Sequence, residues 1–214
     1  EGAKALAINA LAVSPDARYV VIGRENGSLE RYSGTDLSGG VVLNPAETKD
    51  KRPIEALAVS PDGSRLAVSV LKNRATVADF PSKECNVELR SLPDGTPLET
   101  VRTANGLVMA VGFSPDGRFL AMGGGERQEV AVRDFQNPTR DLQADGPGTI
   151  LWDVAFLDEK PPIIAFRRSR AVEGRQPAWE AFDLAERRYR DVPPGTVLQT
   201  GLGTTEGWTF RPLA

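Results

Sequence analysis

One short pattern is written three times in this chain: an apolar run, a Ser-Pro-Asp turn and a second apolar run. The copies read ALAVSPDARYVVIG from Ala10, ALAVSPDGSRLAVS from Ala56 and AVGFSPDGRFLAMG from Ala110, with a degenerate fourth, DVAFLDEKPPIIAF, from Asp153. The three turn serines and their fourth counterpart, Leu157, are separated by 46, 54 and 43 residues. This spacing predicts a repeat architecture in which no single unit buries its apolar surface alone.

Each copy is predicted to be a β-hairpin. Proline at the second turn position presets φ at about −65°, and the aspartate that follows tolerates the third position. Gly63 and Gly117 then stand where a positive φ closes the turn. The first copy has Ala17 at that place and the fourth has Lys160, so we expect those two turns to be strained or differently shaped.

Two further strands are predicted after each hairpin. The third strands alternate polar and apolar residues, as half-buried strands do. They are SLERYS (28–33), NVELRSL (86–92), VAVRDF (130–135) and WEAFDL (179–184). More polar segments, such as TPLETV (96–101) and RRYRDV (187–192), are predicted to be outer edge strands. The predicted fold is therefore all-β, a β-propeller built of four-stranded antiparallel blades.

About four blades are present in the sequence. We expect them at approximately 8–50, 54–104, 107–146 and 150–193, with 195–214 as the start of a further blade or a closing strand. Three arrangements stay open: a segment of a larger ring, a complete small ring, and an arc completed by dimerisation. We favour the first. The unpaired blade edges of an open arc would permit self-association.

The repeats resemble the tryptophan-aspartate (WD) repeat propeller family. The resemblance covers roughly residues 8–193 and rests on the three Ser-Pro-Asp turns and on third strands such as VAVRDF. The family's dipeptide position holds Tyr32-Ser33, Arg90-Ser91, Arg133-Asp134 and Phe182-Asp183. The tryptophan is therefore missing, the aspartate is present in two of four copies, and the histidine of the family's Gly-His element is absent. The repeats resemble the divergent, bacterial-style variant of the family.

Composition argues against several classes of function. The 26 basic and 29 acidic side chains give a net charge of −3, which provides no whole-molecule field for nucleic acid. No apolar run approaches the roughly 18 to 20 residues that cross a bilayer. The chain has no histidine, which excludes Ser-His-Asp and Cys-His catalysis and histidine metal sites. We expect no catalytic residue, no metal, no cofactor, no nucleic-acid partner and no membrane insertion.

Several local motifs are interpreted as structural. Trp152-Asp153 is expected to precede the first strand of the fourth copy as a packing aromatic rather than the family dipeptide. GLGTTEG (201–207) misses the dinucleotide-binding spacing, and Gly123–Gly125 is interpreted as a loop between two strands. The acidic residues Asp158-Glu159, and Glu47 with Asp50, fit solvated turns better than acid-base or calcium groups. Cys85, the one cysteine, is interpreted as a spectator thiol.

Two insertions point to one surface. The distance from the turn to the aspartate-equivalent residue of the third strand is 19 and 20 residues in the first and third copies, but 31 and 26 in the others. The additional residues fall between the second and third strands, at 71–85 and 167–178, a connection that leaves every blade on the same side. The second insertion contains a basic cluster suited to carboxylates or phosphates, with a solvated loop as the alternative. Its arginines are Arg167, Arg168, Arg170 and Arg175.

The leading functional hypothesis is a non-enzymatic propeller scaffold for protein-protein interaction, acting as a module of a larger protein. Its partner is expected to be a protein of unidentified sequence that presents acidic groups to the basic cluster. Two alternatives stay open: the propeller domain of a multidomain hydrolase or kinase whose catalytic residues lie elsewhere, and a ligand-sensing propeller.

Overall fold

A computed structural model describes most of the chain. The described residues are 7–45, 53–70, 86–102, 107–124, 129–138, 142–144, 151–157, 163–168, 179–186, 188–192 and 202–203. Strands and tight turns account for nearly all of them. The predicted all-β architecture is confirmed.

The strands form four antiparallel sheets, which we call blades 1 to 4. Within each blade the four strands lie side by side in chain order. Blade 1 contains β1 (Ile8–Val13), β2 (Tyr19–Arg24), β3 (Leu29–Ser33) and β4 (Val41–Asn44). Blade 2 contains β5 (Ile54–Val59), β6 (Arg65–Val70), β7 (Asn86–Ser91) and β8 (Pro97–Arg102). Blade 3 contains β9 (Val108–Phe113), β10 (Phe119–Gly124), β11 (Glu129–Asp134) and β12 (Leu142–Ala144). Blade 4 contains β13 (Leu151–Leu157), β14 (Ile163–Arg168), β15 (Trp179–Asp183) and β16 (Arg188–Asp191).

The first strands of successive blades are neighbours: β1 lies beside β5, β5 beside β9, and β9 beside β13. A short strand from the C-terminal segment, β17 (Leu202–Gly203), lies against all four of them. It pairs with β1 and with β5, so the sheets of blades 1 and 2 are continuous through it. The rest of the segment 195–214, for which a further blade or a closing strand is predicted, lies outside the described residues.

Every blade has a β-bulge at the same place in its first strand. The register with the second strand skips one residue of the first strand, which is Asn9, Glu55, Met109 or Trp152 in blades 1 to 4. Because side chains alternate along a strand, an extra residue moves the preceding side chain to the opposite face of the sheet. Ile54 therefore packs toward blade 1, whereas Ala56 packs toward blade 3.

The bulge gives each blade two different apolar faces. The small face, which meets the next blade, has alanine or glycine on the first strand, and the bulky face, which meets the preceding blade, has larger side chains. At the first interface the small face of blade 1 and the bulky face of blade 2 contribute Ala10, Ala12, Val21 and Leu29 against Ile54, Leu57, Leu66 and Val68. At the second, blades 2 and 3 contribute chiefly Ala56, Ala58 and Ala67 against Val108, Val111, Leu120 and Met122. At the third, blades 3 and 4 contribute chiefly Ala110 and Ala121 against Leu151, Val154, Ile164 and Phe166.

The Ser-Pro-Asp turns have the expected backbone. Gly63 and Gly117 adopt φ of 72° and 68°, and Ala17 adopts φ of 54°, a left-handed conformation that is strained for a residue with a Cβ. Lys160, the fourth residue at this position, lies outside the described residues. The prediction of a strained first turn is thus confirmed.

Two sequence interpretations are wrong. Trp152-Asp153 does not precede the first strand of blade 4 but lies inside β13, where Trp152 is the extra residue of the bulge. Gly123 and Gly124 belong to β10 rather than to a loop. A Cβ on Gly123 would make ordinary contact with the Leu151 side chain of blade 4 at 3.5 Å, so the space here would accept alanine.

Equivalent glycines test how closely the blades approach one another. Gly23 of β2 and Gly123 of β10 occupy the same strand position in blades 1 and 3. A Cβ on Gly23 would lie 2.8 Å from the Cβ of the buried Ile54. We expect Gly23→Ala to lower the free energy of unfolding by about 1–3 kcal/mol through overpacking, measured by urea denaturation.

Gly123→Ala is the matched control, with an expected change within about 0.5 kcal/mol. Equal effects of the two substitutions would contradict the packing described for blades 1 and 2.

Candidate protein-interaction site

The connections leave each blade on two opposite sides. The first and third connections of an antiparallel sheet lie at one edge, which we call the turn side, and the second lies at the other, the loop side. In three blades a backbone hydrogen bond joins the third connection to the first on this side. The N–H groups of Gly34, Leu92 and Phe135 donate to the carbonyls of Arg18, Ser64 and Arg118 at 2.8, 2.9 and 3.0 Å.

The two long insertions belong to the loop side. The second connection is four residues in blade 1 (25–28) and in blade 3 (125–128). In blade 2 it spans 71–85, and in blade 4 it spans 169–178. Both long segments lie outside the described residues, but the strands that flank them end and begin at the loop side. The strand ends that the two insertions connect are therefore on the same side of the blades.

The predicted basic cluster divides into two parts. The prediction that Arg167 and Arg168 lie in the insertion is wrong, because they are the last two residues of β14. Arg170 and Arg175 lie outside the described residues. The register pairs Arg167 with Asp153 of β13, whose side chain is fully buried. In blades 1 to 3 the position of Arg167 holds Gly23, Ser69 and Gly123, and that of Asp153 holds alanine.

The turn side is organised by one repeated hydrogen-bond pattern. The buried hydroxyl of Ser60 donates to Asp62 at 2.5 Å and accepts from the backbone N–H of Arg65 at 2.9 Å. Ser14 and Ser114 make the same two bonds, to Asp16 and the N–H of Tyr19, and to Asp116 and the N–H of Phe119. The aspartate also accepts a backbone N–H two residues on, which holds the turn closed.

These bonds stabilise the ionised aspartates. The Ser14 hydroxyl, together with the N–H and guanidinium of Arg18, lowers the pKa of Asp16 to about 2. The Ser60 hydroxyl and the N–H of Ser64 likewise lower the pKa of Asp62 to about 2. Hydrogen bonds to a carboxylate favour its charged form, so both turns are best closed when the aspartate is ionised.

In blades 3 and 4 the aspartate of the WD dipeptide position forms hydrogen bonds to the backbone of the third connection. Asp134 accepts the backbone N–H groups of Gln136 and Asn137 and forms a two-point ion pair with Arg118. Asp183 accepts the N–H groups of Ala185 and Glu186, both at 2.9 Å. The Arg118 guanidinium lowers the pKa of Asp134, and the backbone N–H of Glu186 lowers that of Asp183.

Serines replace this aspartate in blades 1 and 2. Ser33 accepts the N–H of Thr35 at 3.3 Å, and the Ser91 hydroxyl donates to Asp94 at 2.8 Å. The polar cap of the connection is therefore kept where the aspartate is absent.

An arginine locks blade 2 onto blade 3. The Arg65 guanidinium lies 4.5 Å from the ring centre of Phe135 and 5.4 Å from that of Phe113, and it donates to the Gly117 carbonyl at 2.8 Å. At the next interface the equivalent residue, Phe119, stacks on Phe156 with the ring centres 6.3 Å apart. These two interblade contacts were not predicted from the sequence. The available signal was a phenylalanine at the same aligned position in the third and fourth copies, Phe113 and Phe156.

One small cleft lies between two of the described blades. A cleft between blades 1 and 2 is lined by Leu29, Ile54, Val68, Glu88 and Arg90, and its volume of about 30 Å³ has room for one or two water molecules. Within the same residues, no group of three or more acidic or cysteine side chains is placed to hold a metal. No helix among them is long and apolar enough to cross a membrane.

Comparison with known proteins agrees with this geometry. The family model for the WD domain, G-beta repeat, matches residues 95–128, which run from β8 through the third Ser-Pro-Asp hairpin. A solved structure of a TolB-type protein from Agrobacterium tumefaciens is similar, with a TM-score of 0.62 and 19% sequence identity. The similarity covers 89% of this chain and 63% of that one. The chain has a WD-repeat-like β-propeller fold.

This WD-repeat-like propeller spans less than two thirds of the TolB-type chain to which it is similar. No curated protein matches it. Its turn side keeps the aspartate caps, in Asp134 and Asp183, without the tryptophan or the histidine of the WD repeat.

The depressed pKa values make the turns sensitive to acid. An aspartate with a folded pKa of about 2 and an ordinary value of 3.8 stabilises the folded state above pH 4, and this stability is lost as the pH falls toward 2. We expect Asp62→Asn to lower the free energy of unfolding at pH 6 and to match the wild type more closely at pH 2.5. Urea denaturation at both values measures this. A deficit that stays the same at the two pH values would count against the ionised turn.

The contact of Arg65 with blade 3 is predicted to contribute to stability. Arg65→Ala removes the contacts with the rings of Phe113 and Phe135 and the hydrogen bond to the Gly117 carbonyl. We expect it to lower the free energy of unfolding by about 1–3 kcal/mol. Arg65→Lys keeps the charge but not the planar fork, and should recover only part of that loss.

Arg18→Ala is the control, because the Arg18 side chain is 72% exposed and its ion pair with Asp16 faces solvent. Its expected effect is within about 0.5 kcal/mol. Equal effects at both arginines, measured by chemical denaturation, would contradict an interblade role for Arg65.

Proposed function

We propose that this propeller is a non-enzymatic scaffold that binds a protein partner on its loop side, as a module of a larger protein. The observation that supports the proposal is that the strand ends joined by both long insertions, 71–85 and 169–178, lie at the same edge of the blades. Long connections on a rigid scaffold are where binding residues are most often found. WD-repeat propellers generally bind proteins, which agrees with this use of the fold.

The partner is proposed to present acidic groups. The proposed contact residues are Arg167, Arg168, Arg170 and Arg175, with Glu173 as the one acidic residue among them. Arginine binds carboxylates through two parallel N–H donors, which suits it to this role. Arg167 differs from the other three because the register pairs it with the buried Asp153.

A role without catalysis is supported by the sequence. The chain has no histidine, which removes the usual general base of a serine or cysteine nucleophile. Ligand pockets have volumes of about 300–1,000 Å³, whereas the cleft between blades 1 and 2 measures about 30 Å³. Nothing in this cleft favours a ligand-sensing propeller over a scaffold.

Charge reversal tests the loop side against a defined probe. We expect a fluorescein-labelled oligoglutamate peptide to bind the chain at low salt, with an affinity that falls as salt rises. The double variant Arg170→Glu/Arg175→Glu should weaken binding at least about tenfold, since two arginine–carboxylate contacts become repulsive. Fluorescence anisotropy gives the dissociation constants.

The matched control is Arg18→Glu/Arg188→Glu, which changes the net charge equally on the turn side, where both arginines are exposed. Equal weakening by the two double variants would show that only net charge matters and would refute the loop-side site. Absence of binding to the wild-type chain would refute the acidic partner.

A further inference from the structure

One arginine stands where the other blades have a buried apolar residue. Arg31 of β3 pairs with Val21 of β2, and the residues at this position in blades 2 to 4 are Leu89, Val132 and Ala181. These three are buried, with exposures of 2%, 3% and 0%. Because paired residues point to the same face of a sheet, Arg31 lies with Val21 on the small face of blade 1, toward blade 2. The repeat therefore predicts an apolar side chain where blade 1 has a cation.

The Arg31 guanidinium lies over an aromatic ring and keeps its donors free. Its central carbon is 4.5 Å from the ring centre of Tyr19, the first residue of β2. Among the described residues Arg31 forms no hydrogen bond and no ion pair: its Nε is buried without a partner, and its two terminal nitrogens are not buried. Buried polar groups are normally paired, so these donors point to an acceptor that the described part of the chain does not provide.

The neighbouring arginine does not share this state. The Arg18 guanidinium, 5.8 Å from the centre of the Tyr19 ring, is held by the Asp16 carboxylate. Its charge is therefore neutralised within its own turn, and Arg31 is the one of the two that has a charge to offer.

The next interface shows how an arginine between two blades is neutralised. Glu99, on the outer strand of blade 2, accepts a hydrogen bond from Arg133 of blade 3 at 2.5 Å. By register, the blade 1 residue equivalent to Glu99 is Val41, the strand partner of Arg31. Where blade 2 supplies a carboxylate to its interface, blade 1 thus supplies a valine.

Blade 2 does not supply the missing carboxylate either. Glu88 is on the bulky face of blade 2, which meets blade 1, but its carboxylate already accepts two hydrogen bonds from Arg90, at 3.1 and 2.6 Å. The outer part of this interface therefore has an excess of positive charge at Arg31.

Apolar side chains adjoin Arg31 at this edge of the blade. Val41 is on the same face, as its strand partner, and is 42% exposed. Leu37, in the turn that leads to Val41, is 62% exposed and adopts φ of 57°, a conformation that few residues with a branched side chain adopt. The surface thus combines an open guanidinium with an apolar margin.

We propose that Arg31, supported by the Tyr19 ring, binds a carboxylate of a partner protein, from an aspartate or glutamate that has an apolar neighbour. The two terminal nitrogens bind both oxygens of one carboxylate, and the ring holds the plane of the guanidinium. A single free cation matches one carboxylate better than a phosphate, which has a charge of about −1.5 to −2. The apolar neighbour packs on Val41. This site is between blades 1 and 2 and is separate from the loop-side surface of the proposed function.

NMR of the whole chain tests the site with acetyl-Glu-Leu amide as the probe. We expect the Arg31 Nε–H resonance and the Val41 amide resonance to shift together, with a dissociation constant on the order of 1–10 mM for one two-point contact at an open site. Acetyl-Gln-Leu amide has the same shape without the charge, and it should bind at least about tenfold more weakly.

Arg31→Leu gives blade 1 the residue that blade 2 has at the same position. It should abolish binding, measured at the Val41 amide, and raise the thermal unfolding midpoint by about 2–4 °C, because an apolar side chain replaces a partly buried, unpaired cation. Arg31→Lys keeps the charge but not the planar fork, and should weaken binding at least about fivefold.

Arg133→Leu is the matched control, because it removes an arginine that is already paired with Glu99. It changes the net charge equally, but it should leave the affinity for the probe within about twofold of the wild type and should not raise the unfolding midpoint. The double variant Arg170→Glu/Arg175→Glu should also bind the probe normally. Failure of the loop-side proposal would therefore not resemble failure at Arg31.

Four results would overturn the proposal. The first two are absence of any shift at Arg31 up to about 20 mM probe and equal binding of the glutamine peptide. The third is a lower unfolding midpoint in Arg31→Leu, which would give Arg31 a structural role. The fourth is tighter binding of inorganic phosphate than of the glutamate peptide, measured at the same two resonances.

Discussion

Packing of a bulky face on a small face is the interaction on which the rest of this structure depends. A four-stranded blade has two apolar faces and no helix to cover either of them, so alone it would expose most of what it should bury. The repeat solves this by making the two faces unequal. Alanine and glycine on one blade leave room for leucine, valine or phenylalanine on the next, and the three internal interfaces follow one rule.

The turns keep the sheets in the register that this packing requires. A buried serine binds an ionised aspartate and the backbone of the next strand, so the first hairpin closes at a defined residue. A backbone hydrogen bond then connects that hairpin to the third connection of the same blade. The turn side is consequently held by hydrogen bonds within each blade. The loop side has the long insertions, so its connections differ in length from blade to blade.

Sequence analysis could predict the fold because the strongest signals are local. The Ser-Pro-Asp-Gly turn fixes a hairpin through its own hydrogen bonds, and alternation marks the third strands to within about one residue of their observed bounds. The bulges could not be predicted in this way. Their extra residues, from Asn9 to Trp152, share no side-chain type, and their effect depends on a neighbouring blade. The prediction for Trp152-Asp153 was wrong for this reason, because Trp152 is the extra residue of a bulge.

The interblade rule also explains which parts of the molecule differ from the others. Blade 4 has Asp153 and Arg167 at paired positions where blades 1 to 3 have alanine opposite glycine or serine. Binding to a protein partner is proposed for the loop side, next to the end of β14.

The most direct test of the account is the stability of one blade alone. Residues 53–102, which contain all four strands of blade 2, should show no cooperative thermal transition and no dispersed amide resonances in solution, because both apolar faces lose their partners. A cooperative transition with well-dispersed amide resonances in this isolated segment would contradict the claim that each blade depends on its neighbours.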